Sequence, residues 1–594
     1  MALFSLDIQS LRPWAGYSTE LLAIDYNRDG WTDLLFANMR FPLKDAGTPV
    51  GVVQNRSGTF RDAPSAVSGG PPSVVHPREL VVGDFNGDKR IDVFIADHGF
   101  DALPYPGRKN ALLLGTSNGF VNASDRLPGI SDFTHSADAA DIDGDGDLDI
   151  YVGNIGGGTS GPYFLINDGK ARFETATGRL PADISGRTSV HTTSLFIDAD
   201  RDGDKDLFLG SDGTAPSKLL LNDGPGFFSE IASPLPPGRF GAANTIALDA
   251  KSFDFNKDKF ADILVTSTRF NPSYTKAGLQ ALVSNRDGTF TDATARIFDA
   301  QPAGNGWSVY SDFVDLNNDG AKDIVCETNG SPHVIYINSG DNVFYRVNKP
   351  ILPISGSIDA LDANRDGWMD FISIGGQGSG RQIELAIRQA PSGVLHQGGG
   401  SADVILGGRA AETIGGGGGS DFLAGGAGGD RVRGESGNDK ILGNSGNDRL
   451  YGGSGGDVLD GGPGKDVLYG ETGNDILVGG TGIDTLFGGS GKDAFRFNVA
   501  PKAANRDVIK DFNVRDDTIQ LYLDLFAGLG SRGSLAAEKF HKGKVAADED
   551  DRIIYDPSTG HLFYDPDGVG GAGQVRFAQL SKKLKMTAAD FLVL

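Results

Sequence analysis

One nine-residue loop, used seven times, constrains this chain more than any other feature. Its first copy is Asp25-Tyr26-Asn27-Arg28-Asp29-Gly30-Trp31-Thr32-Asp33, and its most acidic is Asp141-Ile142-Asp143-Gly144-Asp145-Gly146-Asp147-Leu148-Asp149. Side chains that carry oxygen stand at positions 1, 3, 5 and 9 of each copy. They are Asp25, Asn27, Asp29 and Asp33; Asp84, Asn86, Asp88 and Asp92; Asp141, Asp143, Asp145 and Asp149; and Asp198, Asp200, Asp202 and Asp206. Asp254, Asn256, Asp258 and Asp262 follow, then Asp315, Asn317, Asp319 and Asp323, and last Asp362, Asn364, Asp366 and Asp370. A tight loop with that alternation turns every second side chain inward around one hard cation. Such a cage suits Ca2+, which takes six to eight oxygens in a flexible geometry, and position 7 adds a backbone carbonyl. An EF-hand closes at position 12 with Glu on a helix. Here the loop closes with Asp at position 9 and runs at once into an apolar stretch such as Leu34-Leu35-Phe36, so it joins two strands.

The loops begin at residues 25, 84, 141, 198, 254, 315 and 362. A period of roughly 50–60 residues with several strands per unit is the signature of a propeller. In each unit an apolar strand enters the loop and a second leaves it. A third ends in a turn, and a fourth opens on an aromatic, as in Asn55-Arg56-Ser57-Gly58-Thr59-Phe60 and Asn285-Arg286-Asp287-Gly288-Thr289-Phe290. Asn, Asp and Gly supply the positive φ that such corners need. The seventh unit lacks its fourth strand, because Pro391-Ser392-Gly393 follows the third. Phe4-Ser5-Leu6-Asp7-Ile8 fits the gap: Phe4 lies 21 residues before Asp25, as Phe120 lies 21 before Asp141. The N-terminal strand is therefore expected to complete the seventh blade and close the ring, which removes the exposed edges of an open array.

Over residues 1–395 these units resemble FG-GAP/VCBS repeats, the calcium-loop blades also found in integrin α-chain propellers. The resemblance implies a seven-bladed, Ca2+-loaded β-propeller and is nearly silent on function. Two copies depart from the pattern: Lys89 and Lys259 stand at position 6, where glycine eases the turn, and weaker sites are expected there.

From 398 to 496 a strict nine-residue period runs for 11 units. Gly452-Gly453-Ser454-Gly455-Gly456-Asp457-Val458-Leu459-Asp460 is a clear copy. Asp421, Asp430, Asp439, Asp448, Asp457, Asp466, Asp475, Asp484 and Asp493 hold its acidic position. A large apolar residue recurs at position 8, from Ile405 and Ile414 to Leu486 and Phe495, as an interior ladder requires. A disordered glycine linker has no reason to carry an apolar residue at every ninth place. The block resembles the Ca2+-binding RTX β-roll. Its first two units are degenerate, with Ser401 at position 4 and Glu412 replacing Asp, and are expected to cap the roll and bind Ca2+ poorly.

Beyond the block, short strands are expected at 507–512 and 517–521. A hairpin should turn at Pro557-Ser558-Thr559-Gly560, and the chain ends Asp590-Phe591-Leu592-Val593-Leu594. This tail resembles the C-terminal region of type I-secreted RTX proteins such as serralysin-like proteases. The resemblance implies export by a type I secretion apparatus of a Gram-negative bacterium. Met1-Ala2-Leu3-Phe4-Ser5-Leu6-Asp7 has neither a basic n-region nor an apolar h-region, so no N-terminal signal peptide is expected. The expected layout is all-β: a propeller over 1–395, a parallel β-roll over 396–497, and a small β domain with the secretion region over 498–594.

The formal charge of −24 argues against a nucleic-acid partner, which needs clustered Lys and Arg. A single cysteine, Cys326, excludes an intramolecular disulfide. No apolar run reaches about 18 residues, so no membrane span is expected. The sequence has no HExxH, and its GxSxG matches at 115–119 and 452–456 fall on repeat turns, not strand-to-helix elbows. No catalytic residue is assigned. One constellation remains: His76, His135 and His191 lie six to eight residues before their loops, near one mouth of the channel. Arg78, Glu79, Trp14, Tyr17 and Trp307 take comparable places. These residues can bind a ligand, or simply bond neighbouring blades. The function expected is a secreted Ca2+-dependent adhesin for a glycan or protein on a cell surface or matrix. The alternatives are an extracellular polysaccharide lyase or hydrolase acting at the channel mouth, and a structural surface-layer component.

Overall fold

The computed structural model describes all residues except 1–3, 11–16, 40–46, 101–104, 156–159, 187–189, 233, 303–307, 329–332, 348–350, 355–356, 376–381 and 389–394. Each nine-residue loop joins the innermost strand of an antiparallel sheet to the next strand outward. Blade 1 orders Tyr17–Ile24, Asp33–Met39, Gly51–Arg56 and Thr59–Asp62, and blades 2 to 6 repeat that order. Blade 2 gains Val67–Ser68 as a fifth, parallel strand.

The second strands read as continuous apolar runs because both of their faces are covered. Leu34 and Phe36 pack toward blade 7, while Leu35, between them, packs toward blade 2. Seven such clusters fill the seams between neighbouring blades.

Ring closure is as the sequence predicts. Phe4–Ser10 pairs antiparallel with Gln382–Arg388, in register from Phe4 against Arg388 to Ser10 against Gln382. Blade 7 is thus Ile358–Leu361, Asp370–Gly375, Gln382–Arg388 and the N-terminal strand. Phe4 is buried and meets Phe371 edge to face at 5.8 Å.

The glycine block winds into a parallel β-solenoid of about six turns. Two nonapeptides make one turn, so partners lie 18 residues apart, as in Leu459 against Leu477. The position-8 residues from Ile414 to Phe495 are 0–1% exposed and form one core, with Ile405 half-buried at its open end. Turns stack too closely for side chains at some glycines: a Cβ on Gly446 would lie 1.3 Å from the Gly428 carbonyl oxygen.

The C-terminal segment extends the same two sheets. Asp507–Ile509 and Thr518–Leu521 add one strand to each, then Val575–Gln579 and Phe591–Val593 pair parallel to them. The expected hairpin is present, with Ile553 opposite Tyr564 and Asp556 opposite His561.

Roll and propeller share an apolar seam in which Val343 and Tyr345 of blade 6 pack with Phe422 and Leu442. Polar contacts flank it. Tyr345 donates to Asp460 Oδ2 at 2.6 Å, and Thr481 donates its N–H and hydroxyl to the Asp341 carboxylate at 2.6 and 2.9 Å. Asn444 Nδ2 reaches the Asn338 carbonyl at 2.6 Å.

Candidate functional site

The propeller loops are wrapped on their own carboxylates. In blade 1 the N–H groups of Asp29 and Gly30 donate to the two oxygens of Asp25, at 3.1 and 2.8 Å. Blades 2, 5, 6 and 7 repeat this at Asp84, Asp254, Asp315 and Asp362. Position 9 does more than the sequence shows. Asp206 accepts from Asn222 N–H at 2.9 Å and from Ala199 N–H at 2.7 Å, and so ties the loop to the third strand. Asp92, Asp149, Asp262, Asp323 and Asp370 hold the same pair of bonds. Burial raises these acids: Asp149, Asp206, Asp262 and Asp370 are pushed up to about 7.

A cation would supply what these loops lack. Asp33 Oδ2, Asp143 Oδ1, Asp198 Oδ1 and Asn317 Oδ1 are buried acceptors without a hydrogen-bond partner. An unmade bond of this kind is costly. In blade 3 the oxygens of Asp141, Asp143 and Asp149 lie within 4.8 Å of one another, as do those of Asp198, Asp200 and Asp202 in blade 4.

The roll repeats the same shortage nine times. From Asp421 to Asp493, each position-6 aspartate accepts through Oδ1 from the backbone N–H 18 residues upstream, as Asp457 does from Asp439 at 2.9 Å. Each Oδ2 is buried and unpartnered. The Cβ that any other residue would place at Gly434 lies 2.3 Å from Asp439 Oδ2 and 2.6 Å from the Gly452 carbonyl oxygen. Carboxylate and turn carbonyl therefore face one small space, a donor set for Ca2+. Burial pushes Asp439 and Asp457 up to about 6, Asp475 to about 7 and Asp448 to about 8. Asp507 and Asp517 continue the ladder past the nonapeptides, accepting from Asp484 and Asp493 at 3.1 Å. Their spacings of 23 and 24 residues hid them from the nine-residue pattern.

The histidines gather, but inside the protein. The rings of His76 and His98 lie 5.1 Å apart, and those of His98 and His135 lie 5.4 Å apart. The Arg78 guanidinium donates to His135 Nε2 at 3.0 Å, so Nδ1 carries the proton given to the Thr192 carbonyl at 3.1 Å. Burial holds His76 and His135 down to about 3 and His191 to about 4, so all three are neutral. His191 is 4% exposed and heads its strand opposite Ser211. Sequence reasoning missed His98, which the returning second strand delivers to the mouth where the first strand begins. Trp14 and Trp307 lie outside the described residues, as does the Tyr17 side chain.

Along the channel, carboxylates join one blade to the next. Glu79 accepts from Ala137 N–H at 3.0 Å, Asp138 from Phe196 at 2.7 Å, Asp249 from Ser311 at 3.0 Å and Asp359 from Ala23 at 2.6 Å. Tyr310 of blade 6 reaches across blade 7 to Glu20 of blade 1 at 2.9 Å.

On the loop face, opposite the nine-residue loops, blade 5 carries the longest hairpin, Asp262–Arg269 and Thr275–Ser284. At its tip Phe270 and Tyr274 are 37% and 49% exposed. Beside it Arg239, Phe240, Arg269 and Lys276 border a cavity of about 460 Å³. The Arg269 guanidinium sits 5.5 Å from the centre of the Phe240 ring, and its Nε is buried without a partner.

A ring of Ca2+-loop blades joined to a nonapeptide roll defines a repeat protein built around calcium. The chain belongs to the FG-GAP-like repeat family, whose model matches residues 25–95, 84–152, 198–265, 254–326 and 315–373. The RTX calcium-binding nonapeptide repeat matches 397–423, 424–459 and 469–496. Both repeat types bind Ca2+, and RTX proteins are secreted by type I systems. Together the repeats mark a Ca2+-binding protein and suggest a secreted one. Among the described residues no helix is long and apolar enough to cross a membrane.

No curated protein matches the chain. Among solved structures it is similar to the crystal structure of BBS1N in complex with ARL6DN, soaked with lead. Identity is 9%, with 66% of this chain and 98% of that one covered and a TM-score of 0.39. The mercury-soaked crystal of the same complex gives 9%, 65%, 98% and 0.37. The solution structure of the AlgE6R3 subunit from the Azotobacter vinelandii mannuronan C5-epimerase gives 20% identity, covering 33% of this chain and 80% of that one, with a TM-score of 0.14.

Proposed function

We propose that this protein is a secreted, Ca2+-dependent adhesin whose propeller binds a glycan or protein on a cell surface or matrix. In this reading the blades, over 1–395, hold Ca2+ on the position 1, 3, 5 and 9 side chains from Asp25 to Asp370. The roll, over 396–497, holds it on Asp421 to Asp493, and 498–594 caps the roll and carries the type I export signal. One observation carries the binding role: the aromatic and cationic patch on the loop face of blade 5. Exposed Phe270 and Tyr274 offer ring faces to a sugar or an apolar side chain. Arg239, Arg269 and Lys276 border the cavity next to them. In a chain of net charge −24, such a cluster selects an acidic partner against the general field. The buried histidine cluster below the mouth acts in this reading as the rigid floor of the same face.

A glycan array probed in millimolar Ca2+ tests the proposal. We expect binding to acidic glycans that is lost in chelator and falls about ten-fold or more in a Phe270→Ala, Tyr274→Ala variant with unchanged melting temperature. Equal binding by that variant, or by one with Arg239→Ala and Lys276→Ala, would remove blade 5 from the function.

A further inference from the structure

A second site lies where the propeller, the roll and the C-terminal segment meet. A crevice of about 380 Å³ opens there, lined in part by Arg296, Tyr345, Arg496, Asn498, Tyr522 and Arg532. Its volume falls in the usual range for small-molecule sites, which favour such domain junctions.

Asn498 is the telling residue. It is 5% exposed, and both its Oδ1 and its Nδ2 are buried without a hydrogen-bond partner. A buried amide left wholly unpaired is costly, and a wall of the crevice is where a ligand would satisfy it. The charges around it are unevenly cancelled. Arg296, 9% exposed, donates through Nε to Asp524 at 2.6 Å, and Asp299 is paired with Lys440. Those two pairs are neutral. Arg496, however, is held by Gln520 Oε1 at 2.8 Å, an amide that leaves its charge intact. Arg532 stands exposed on the rim. Asp460, buried nearby, accepts from the Tyr345 hydroxyl at 2.6 Å, and burial pushes its carboxyl up to about 7. The remaining wall includes Val343, Val478 and Val593.

We propose that this crevice binds a small hydroxylated carboxylate of about the size of one acidic sugar. Arg496 and Arg532 would hold the carboxylate. Asn498, donor and acceptor together, would bond a hydroxyl beside it, and the valines would cover the carbon skeleton. The site is separate from the blade 5 patch and does not depend on the adhesin reading.

Titration calorimetry on the Ca2+-loaded full chain tests it, with glucuronate as the probe, glucose as its neutral counterpart and inorganic phosphate as a competing anion. We expect saturable glucuronate binding and no glucose binding. Affinity should fall about ten-fold or more in Asn498→Ala and in Arg496→Gln. Arg532→Gln, on the exposed rim, leaves the buried wall in place and should weaken binding even if either buried variant misfolds. Asn498→Leu separates a site from a packing flaw: a site loses glucuronate, whereas a flaw gains only melting temperature. Absent glucuronate binding, binding retained in Arg532→Gln, or equal affinity for phosphate would overturn the proposal.

Discussion

At the residue scale, the propeller loops place unusual demands on their fourth and sixth positions. Both have positive φ in every blade, from 56° at Lys257 to 101° at Gly203. Glycine meets this freely at position 6 in five blades, but Lys89 and Lys259 sit there at 64° and 71°. A left-handed lysine costs about 1 kcal/mol against glycine. Lys89→Gly and Lys259→Gly should therefore each stabilise the Ca2+-loaded protein by about 1 kcal/mol and tighten their own sites, readable by calorimetric melting with and without chelator. Unchanged melting in both would show that the strain is not stored there. The ligand pattern was legible because loop alternation projects onto residue spacing. The second duty of Asp206 and its equivalents was not, since its partner Asn222 lies 16 residues away on another strand. Asp460 was hidden for a related reason: it occupies a variable repeat position and matters only because blade 6 presses on it.

At the element scale, the roll is held by two parallel ladders, one apolar and one acidic. Leu459→Ala removes a fully buried rung and should cost about 2–5 kcal/mol, while Ile405→Ala, at the half-buried open end, should cost markedly less. Segment-resolved melting of the two variants checks the order, and equal costs would contradict a continuous core. Outside the ladder Tyr451, Tyr469 and Phe487 stack at 5.0 and 4.8 Å, which fixes the 18-residue register on one face. The closing strand of the propeller, Phe4–Ser10, was legible from phase alone, because Phe4 repeats the aromatic that opens each fourth strand. Deleting residues 1–10 should leave Gln382–Arg388 as an open edge, lower the melting temperature and promote association. A truncated protein that melts as the full chain does and stays monomeric would refute closure as a source of stability. The crevice around Asn498 could not be read from sequence, since its walls come from stretches scattered between Ala295 and Leu594.

At the scale of the whole molecule, an acidic ladder that takes Ca2+ would couple folding to both Ca2+ and protons. The folded roll without Ca2+ holds carboxylates raised to between about 6 and 9, against about 4 in an unfolded chain. The folded state therefore binds more protons in that window, and its stability falls as pH rises through it. Ca2+ reverses the sign, because it takes the deprotonated form and releases those protons. At a few millimolar Ca2+, a site with Kd near 0.1 mM contributes about 2 kcal/mol, and many such sites together exceed a domain's usual net stability. In chelator the roll should lose stability from about pH 5 to about pH 8, and in Ca2+ it should gain over the same range, as followed by far-ultraviolet circular dichroism.

Hydrogen exchange resolved along the chain, in millimolar Ca2+ and in chelator at neutral pH, tests the central claim most directly. If Ca2+ on the Asp421–Asp493 ladder holds the roll together, amides of the strands from Val404–Gly408 to Thr518–Leu521 are protected in Ca2+ and exchange freely in chelator. Equal protection of those strands in both solutions would contradict it.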